Sequence, residues 1–213
     1  MLKGIKLIIF DLDGTLVDAY DAIVKSFNYT MRKIGLPVLN YQTIKQAVGW
    51  GDKGLLCPFV PAEKLKAALK IYQAHHRKSL LRHTRLIAGA LKTLKYLKQK
   101  GYWLAVASNR PRAFSEIVLK KLKLDGIFDY VLCGDELQKP KPHPDILISL
   151  IRRFAINKKQ TLFVGDMTID INTGKAAGVR TVAVLTGSSR RKALASLKPF
   201  KLMRSVRGLV KLL

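Results

Sequence analysis

Lys6-Leu7-Ile8-Ile9-Phe10-Asp11-Leu12-Asp13-Gly14-Thr15 decides how this chain is read. Lys6–Phe10 is a short, nearly continuous apolar run, the pattern of a parallel strand covered by helices on both faces. It ends in two carboxylates two residues apart, and Gly14 permits the sharp turn beside them. Ligands of open α/β sheets bind at the carboxyl ends of strands, so Asp11 and Asp13 are the first candidates for chemistry.

Four more runs repeat the strand pattern downstream: Trp103–Ser108, Tyr130–Cys133, Thr161–Gly165 and Thr181–Leu185. Helical periodicity separates them over Ile87–Lys100, Ala113–Leu122, Pro144–Phe154 and Ile169–Ala177, with Gly101, Gly126 and Gly178 where helices can stop. This alternation predicts a doubly wound α/β sheet. Between the first and second strands no strand signal is found. Asp18–Ile34, Tyr41–Val48 and Pro61–Leu81 read as helices, so residues 16–83 are expected to form a small helical cap domain inserted into a core of residues 1–15 and 84–213. Lys201–Leu213 places Leu202, Val206, Leu209 and Leu213 on one helical face, a terminal helix expected to pack on the sheet.

Composition narrows the class. The 213 residues are 48% hydrophobic and 25% charged, which excludes a disordered chain. No apolar run is long enough for a membrane span, and the N-terminal run is too short for a secretory signal. Cys57 and Cys133 have no metal-like spacing and suit free thiols in a reducing cytoplasm. The formal net charge is +25, yet residues 15–86, 87–186 and 187–213 carry +8, +9 and +8, with no concentrated arm. A generally basic surface is expected, without a specific nucleic-acid or membrane partner. A non-catalytic polyanion-binding protein is the alternative from another class.

More strand ends carry polar groups. Gly165-Asp166 is followed by Asp170, again carboxylates at the end of a strand. Asp11 and Asp166 offer the hard oxygens that Mg²⁺ prefers. Ser108-Asn109 closes the second strand, and Lys139-Pro140-Lys141-Pro142-His143-Pro144 is a proline-stiffened segment that can hold a lysine in place. One carboxylate can attack phosphorus while the other transfers a proton. Gly49-Trp50-Gly51-Asp52-Lys53-Gly54 satisfies a dinucleotide fingerprint in letters only. It follows a helix rather than a strand, and a cap loop facing the substrate is the expected role of Gly49, Trp50 and Gly51. His75, His76 and His83 are not spaced as a compact metal set and read as part of a solvated helix; His143 reads as a loop residue.

Taken in this order, the four elements resemble the haloacid dehalogenase superfamily of phosphohydrolases, over nearly the whole chain. The resemblance implies that Asp11 is the nucleophile and Asp13 the acid/base. Thr15, Ser108, Asn109 and Lys141 would contact phosphate, the lysine because only Lys141-Pro142-His143-Pro144 matches the family's Lys-Pro-x-Pro. Mg²⁺ would be held by Asp11, the main-chain carbonyl of Asp13, and Asp166, with Asp170 supporting them from behind. It also implies a sheet order of 5-4-1-2-3. The family's dehalogenases lack an acid at the Asp13 position. Its β-phosphoglucomutases carry a histidine where this chain has Ile23. Asp18-Ala19-Tyr20-Asp21 and Val48-Gly49-Trp50-Gly51 look like the phosphoglycolate phosphatases. The expectation is a Mg²⁺-dependent phosphomonoesterase for a small phosphorylated metabolite. A sugar- or nucleotide-phosphate phosphatase is the nearest alternative, and the sequence leaves the oligomeric state open.

Overall fold

The computed structural model describes residues 2–213. In chain order the elements are β1 (Leu7–Phe10), β2 (Val17–Asp18), α1 (Tyr20–Lys33), α2 (Tyr41–Ala47), α3 (Gly51–Leu56), α4 (Ala62–His83), β3 (Arg85–Leu86), α5 (Ala90–Gln99), β4 (Trp103–Ser108), α6 (Arg112–Lys121), β5 (Tyr130–Cys133), α7 (Asp145–Arg153), β6 (Thr161–Gly165), α8 (Thr168–Ala177), β7 (Arg180–Val184), α9 (Arg191–Ser196), β8 (Lys201–Met203) and α10 (Leu209–Leu212). Six strands form one sheet in the order β5-β4-β1-β6-β7-β8, and every pair in it is parallel. This contains the five-strand order implied by the resemblance and adds β8 at one edge.

Alternation along the strands divides the core in two. Ile8, Phe10, Leu104, Val106, Leu162 and Val164 pack with Ala90, Leu94 and Leu97 of α5 and Phe114 and Val118 of α6. Leu7, Ile9, Ala105, Ala107 and Phe163 face the other way, onto Ile146, Leu147 and Leu150 of α7. Because both faces are covered, these strands carry no polar alternation.

Helices α1–α4 surround a core of their own. Tyr20, Ile23, Phe27 and Met31 recur at helical spacing along α1 and meet Ile44, Leu55, Leu56, Ala68 and Tyr72. Small hydroxyls between α1 and α4 satisfy themselves on main-chain carbonyls: Ser26 Oγ and Ser79 Oγ both donate to the Ala22 oxygen, at 2.8 and 3.1 Å. Lys121, on α6, reaches the last turn of α4 and donates its amine to the carbonyls of Leu80 and Thr84, at 3.3 and 2.8 Å. A cation there satisfies carbonyls that a helix C-terminus leaves without partners.

Two expectations need correction. Residues between the first and second sheet strands do include strands: β2 and β3 pair antiparallel, Val17 with Leu86 and Asp18 with Arg85, and an Arg85–Asp18 ion pair of 2.8 Å closes the ribbon. At two residues each they are too short to leave a periodic signal. Nor is Lys201–Leu213 one helix. Lys201–Met203 is an edge strand, since Phe200 N–H bonds to the Thr181 carbonyl and Leu185 N–H to that of Met203. Pairing the open edge of β7 outweighs the helical period, and only Leu209–Leu212 is α-helical there. Among the described residues no helix is long and apolar enough to cross a membrane.

Candidate functional site

Strand register gathers the candidate residues. Phe10 pairs with Val106 on one side and Val164 on the other, so Asp11 comes level with Ala107 and Gly165. Ser108 and Asp166 follow one residue later, at the same end of the sheet. Asp11 N–H extends the ladder by bonding to the Val164 carbonyl at 2.8 Å. Gly14, with φ +82°, then turns the chain; a Cβ there would collide with the Asp166 carboxylate and the Tyr20 hydroxyl.

Lys141 is buried at the centre, with Nζ 2.6 Å from Asp11 Oδ1 and 2.7 Å from Asp170 Oδ1. Asp166 accepts from Thr15 Oγ1 at 2.9 Å, from Ser188 N–H at 3.1 Å and from the Tyr20 hydroxyl at 3.5 Å. Asp11, Asp166 and Asp170 are all buried and bring carboxylate oxygens within 4.8 Å of one another. Three clustered carboxylates thus have one lysine among them, and it contacts two, Asp11 and Asp170. Burial pushes the Asp11 carboxyl up to about 7; Lys141 opposes this, and the charges of Asp170 and Asp13 add to it. Asp166 is raised well above the usual range by burial, then by Asp11 and Asp170. Burial works against the Lys141 charge, but the two aspartates outweigh it and its pKa stands above the usual lysine value. Clustered buried carboxylates held away from ionisation are the donor set that a hard divalent cation fits.

Asp13 points elsewhere. Arg110 grips it with both arms of the guanidinium, Nε to Oδ2 at 2.8 Å and Nη2 to Oδ1 at 2.6 Å. The third guanidinium nitrogen, Nη1, stands 3.4 Å from His76 Nε2. The His76 ring lies between Tyr72, stacked at 4.8 Å, and the edge of Phe114 at 5.2 Å. Burial, with Arg110 adding to it, pushes the imidazole down to about 2, so it is neutral. This corrects the reading of His76 as part of a solvated helix face: it is 2% exposed, whereas His75 and His83 are half-buried.

The Asn109 carboxamide is fully engaged. Nδ2 donates to the carbonyls of Gly49 and Lys141, at 2.9 and 3.0 Å, and Oδ1 accepts from Lys141 N–H at 2.9 Å. Ser108 Oγ accepts from Arg110 N–H at 3.2 Å, and its own proton takes no part in that bond. A cavity of about 50 Å³ is lined by Asp11, Asp13, Ser108, Asn109, Arg110 and Lys141 on the core side. Ile23, Gly49, Gly51, Leu55, Tyr72 and His76 face them from the helices. That volume equals roughly three to five ordered waters. Gly49, at φ +117°, abuts the Met167 side chain and has no room for a Cβ.

Thr15 does not line the cavity; its hydroxyl is committed to Asp166 instead. Trp50 does not line the cavity: it is 53% exposed and faces a separate groove with Gln46 and Arg190. The expected loop is also shorter than read, because Gly51–Leu56 is helical. Arg110 and Tyr72 escaped the sequence reading, and His76 reads there as part of a solvated face, although Arg110 directly follows Ser108-Asn109 at a strand end, where a polar residue carries a signal.

Comparison with known proteins agrees with this architecture. Residues 8–184 match the family of haloacid dehalogenase-like hydrolases. The chain is 33% identical to the probable phosphatase IndB of Dickeya dadantii over 201 residues, 91% of this chain and 86% of that protein. It is 29% identical to phosphoglycolate phosphatase 1 of Pseudomonas aeruginosa over 214 residues, 96% of this chain and 78% of that protein. The crystal structure of a predicted phosphoglycolate phosphatase from Haemophilus somnus matches with a TM-score of 0.95 at 28% identity, covering 100% of this chain and 99% of the other. With its sheet order, its helical insertion and the carboxylates at its strand ends, this chain belongs to the haloacid dehalogenase-like hydrolases.

Proposed function

We propose that this protein is a Mg²⁺-dependent phosphomonoesterase of the reducing cytoplasm, acting on a small phosphorylated metabolite of the phosphoglycolate type. The observation that carries the reading is the juxtaposition of Asp11, Lys141 and Asp13 on one cavity of about 50 Å³. A nucleophile, a fixed cation and a proton-transfer group meet there on the walls of one cavity.

An Asp11 carboxylate oxygen attacks phosphorus and the bond from phosphorus to the ester oxygen breaks. Asp13 gives its proton to the departing alkoxide. The aspartyl-phosphate is then opened by water: Asp13 takes a proton from the water, the new oxygen joins phosphorus, and the bond to Asp11 breaks. Lys141 holds Asp11 in line and offers positive charge to the phosphoryl oxygens. Ser108 can donate its hydroxyl proton to one of them. Asp11, the Asp13 carbonyl and Asp166 would hold Mg²⁺, with Asp170 fixing Lys141 behind them. The ion, when bound, neutralises charge on the phosphoryl group and keeps the carboxylates ionised. Helices α1–α4 roof the cavity and exclude bulk water.

The test is phosphate release from a panel of phosphorylated metabolites that includes 2-phosphoglycolate, with Mg²⁺ and after chelation. Turnover is expected to require the ion and to vanish in Asp11→Asn while that variant keeps its circular dichroism. Full activity in Asp11→Asn would overturn the mechanism.

A further inference from the structure

We infer that Arg110 is the recognition residue for an anionic group on the leaving side of the substrate, and that taking up this group releases Asp13 for proton transfer. The inference rests on the phosphomonoesterase reading and names the chemistry of the leaving group: a short chain ending in a carboxylate.

Two cations line the cavity, and they stand at different ends of the chemistry. Lys141 is committed to Asp11 and Asp170 at 2.6 and 2.7 Å. Arg110 makes no contact with those two aspartates. Its fork is closed on Asp13, through bonds of 2.8 and 2.6 Å, at the wall shared with Tyr72 and His76. In this arrangement each Asp13 oxygen accepts from the fork, so the carboxylate is turned towards Arg110 rather than towards Asp11 and an ester held there. A ligand carboxylate presents the same pair of acceptors to the same planar fork. Exchanging one carboxylate for the other keeps the buried guanidinium paired throughout, which matters because an unpaired buried charge is costly. The remaining wall is apolar, built from Ile23, Val48, Leu55, Met167 and Ile169. It offers a leaving group no other charged partner than Asp52, which would repel an anion.

His76 makes the exchange possible without losing the arginine. Ser26 Oγ bonds to the Ala22 carbonyl and lies 3.1 Å from both His75 Nδ1 and His76 Nδ1. Because a guanidinium can only donate, His76 Nε2 is the acceptor towards Arg110 Nη1, and the proton of the neutral ring is on Nδ1, facing Ser26. One arm of the guanidinium thus stays anchored to α4 while the other two change partner. His76 is a positioning residue, and it ties recognition by Arg110 to the presence of α4 over the site.

The size of the effect follows from the same geometry. A site built around a buried hydrogen-bonding group rejects ligands lacking the partner by about 10⁴–10⁵ when that group is left bare. Here Asp13 takes the fork back, so discrimination is expected to be smaller, roughly 10²-fold.

The experiment compares 2-phosphoglycolate with ethyl phosphate, which has a methyl where the first has a carboxylate. Its readout is the ratio of their kcat/KM values in wild type, Arg110→Met and Arg110→Lys. Wild type is expected to favour the carboxylated ester by roughly 10². Arg110→Met should abolish the preference, and Arg110→Lys should keep only part of it, because a point charge cannot reproduce the fork. Calorimetric binding of 3-phosphonopropionate against propylphosphonate gives the same comparison without turnover and covers a variant with damaged catalysis. Equal losses on both esters in Arg110→Met, with the ratio unchanged, would overturn the inference. So would equal binding of the two phosphonates by wild type. If wild type hydrolyses neither ester yet prefers the carboxylated phosphonate through Arg110, the phosphatase reading fails and the subsite stands. If it hydrolyses both esters equally, the subsite fails and the phosphatase reading stands.

Discussion

Asn109 donates its side-chain amide to the main-chain carbonyl of Gly49 at 2.9 Å, so a residue at the end of β4 is bonded directly to the helical insertion above it. The same amide donates to the Lys141 carbonyl, and its oxygen accepts from Lys141 N–H. One carboxamide thereby fixes both the lysine and the roof of the site.

Asn109→Ala is expected to cost about 1–3 kcal/mol, because it leaves the buried Lys141 main-chain groups without partners. Activity should fall with it, since Lys141 loses two of its positional restraints. Chemical denaturation and kcat on one preparation check this; unchanged stability would mean that water replaces the carboxamide fully.

Lys141→Met is expected to lower kcat by roughly 10²–10³, the scale for removing one electrostatic stabiliser. Lys139→Met should stay near wild type, because Lys139 is exposed whereas Lys141 is buried. Steady-state rates at saturating ester decide the matter, and the opposite ranking would mean that the wrong lysine of the pair has been assigned.

His76 predicts a pH dependence of stability. The unfolded imidazole takes a proton near pH 6.5, while the folded one resists until about 2. Its contribution is therefore intact above pH 6.5 and is lost as pH falls below that value, by up to about 1.4 kcal/mol per unit. His76→Phe preserves an aromatic ring between Tyr72 and Phe114 and removes the titration. Between pH 7.5 and 5.5, wild type should lose up to about 1.4 kcal/mol more than the variant in urea denaturation. Parallel losses in both proteins would refute this.

Much of the fold was legible because buried parallel strands are apolar throughout. Ile8-Ile9-Phe10, Leu104-Ala105-Val106 and Leu162-Phe163-Val164 needed no knowledge of their neighbours. Asp11, Asp13, Asp166 and Lys141 stood out because each follows such a strand or a stiffened turn. What stayed hidden depends on tertiary partners. β2 and β3 exist only through each other, and β8 exists because β7 offers an open edge. Trp50 lies between two cavity-lining glycines, yet its backbone turns the indole outward, which residue type alone does not tell. Arg110 and His76 are ordinary surface-type residues in a linear reading. The first is buried by Asp13, almost a hundred residues away, and the second by the packing of α4 on α6.

The amine of Lys121 on the Leu80 and Thr84 carbonyls gives the helical roof a fulcrum. With α4 tethered to α6 at its C-terminal end and packed along α1 through Ala68 and Tyr72, any tilt of the long helix about that end would carry the helical layer with it. Tyr72 stands twelve residues before Thr84, about 18 Å along the axis at 1.5 Å per residue. A tilt of about 10° about that end would lift Tyr72 by roughly 3 Å, and the start of the helix by roughly 6 Å. The displacement at the far end would thus be about twice that over the cavity, while the Lys121 tether stays nearly still.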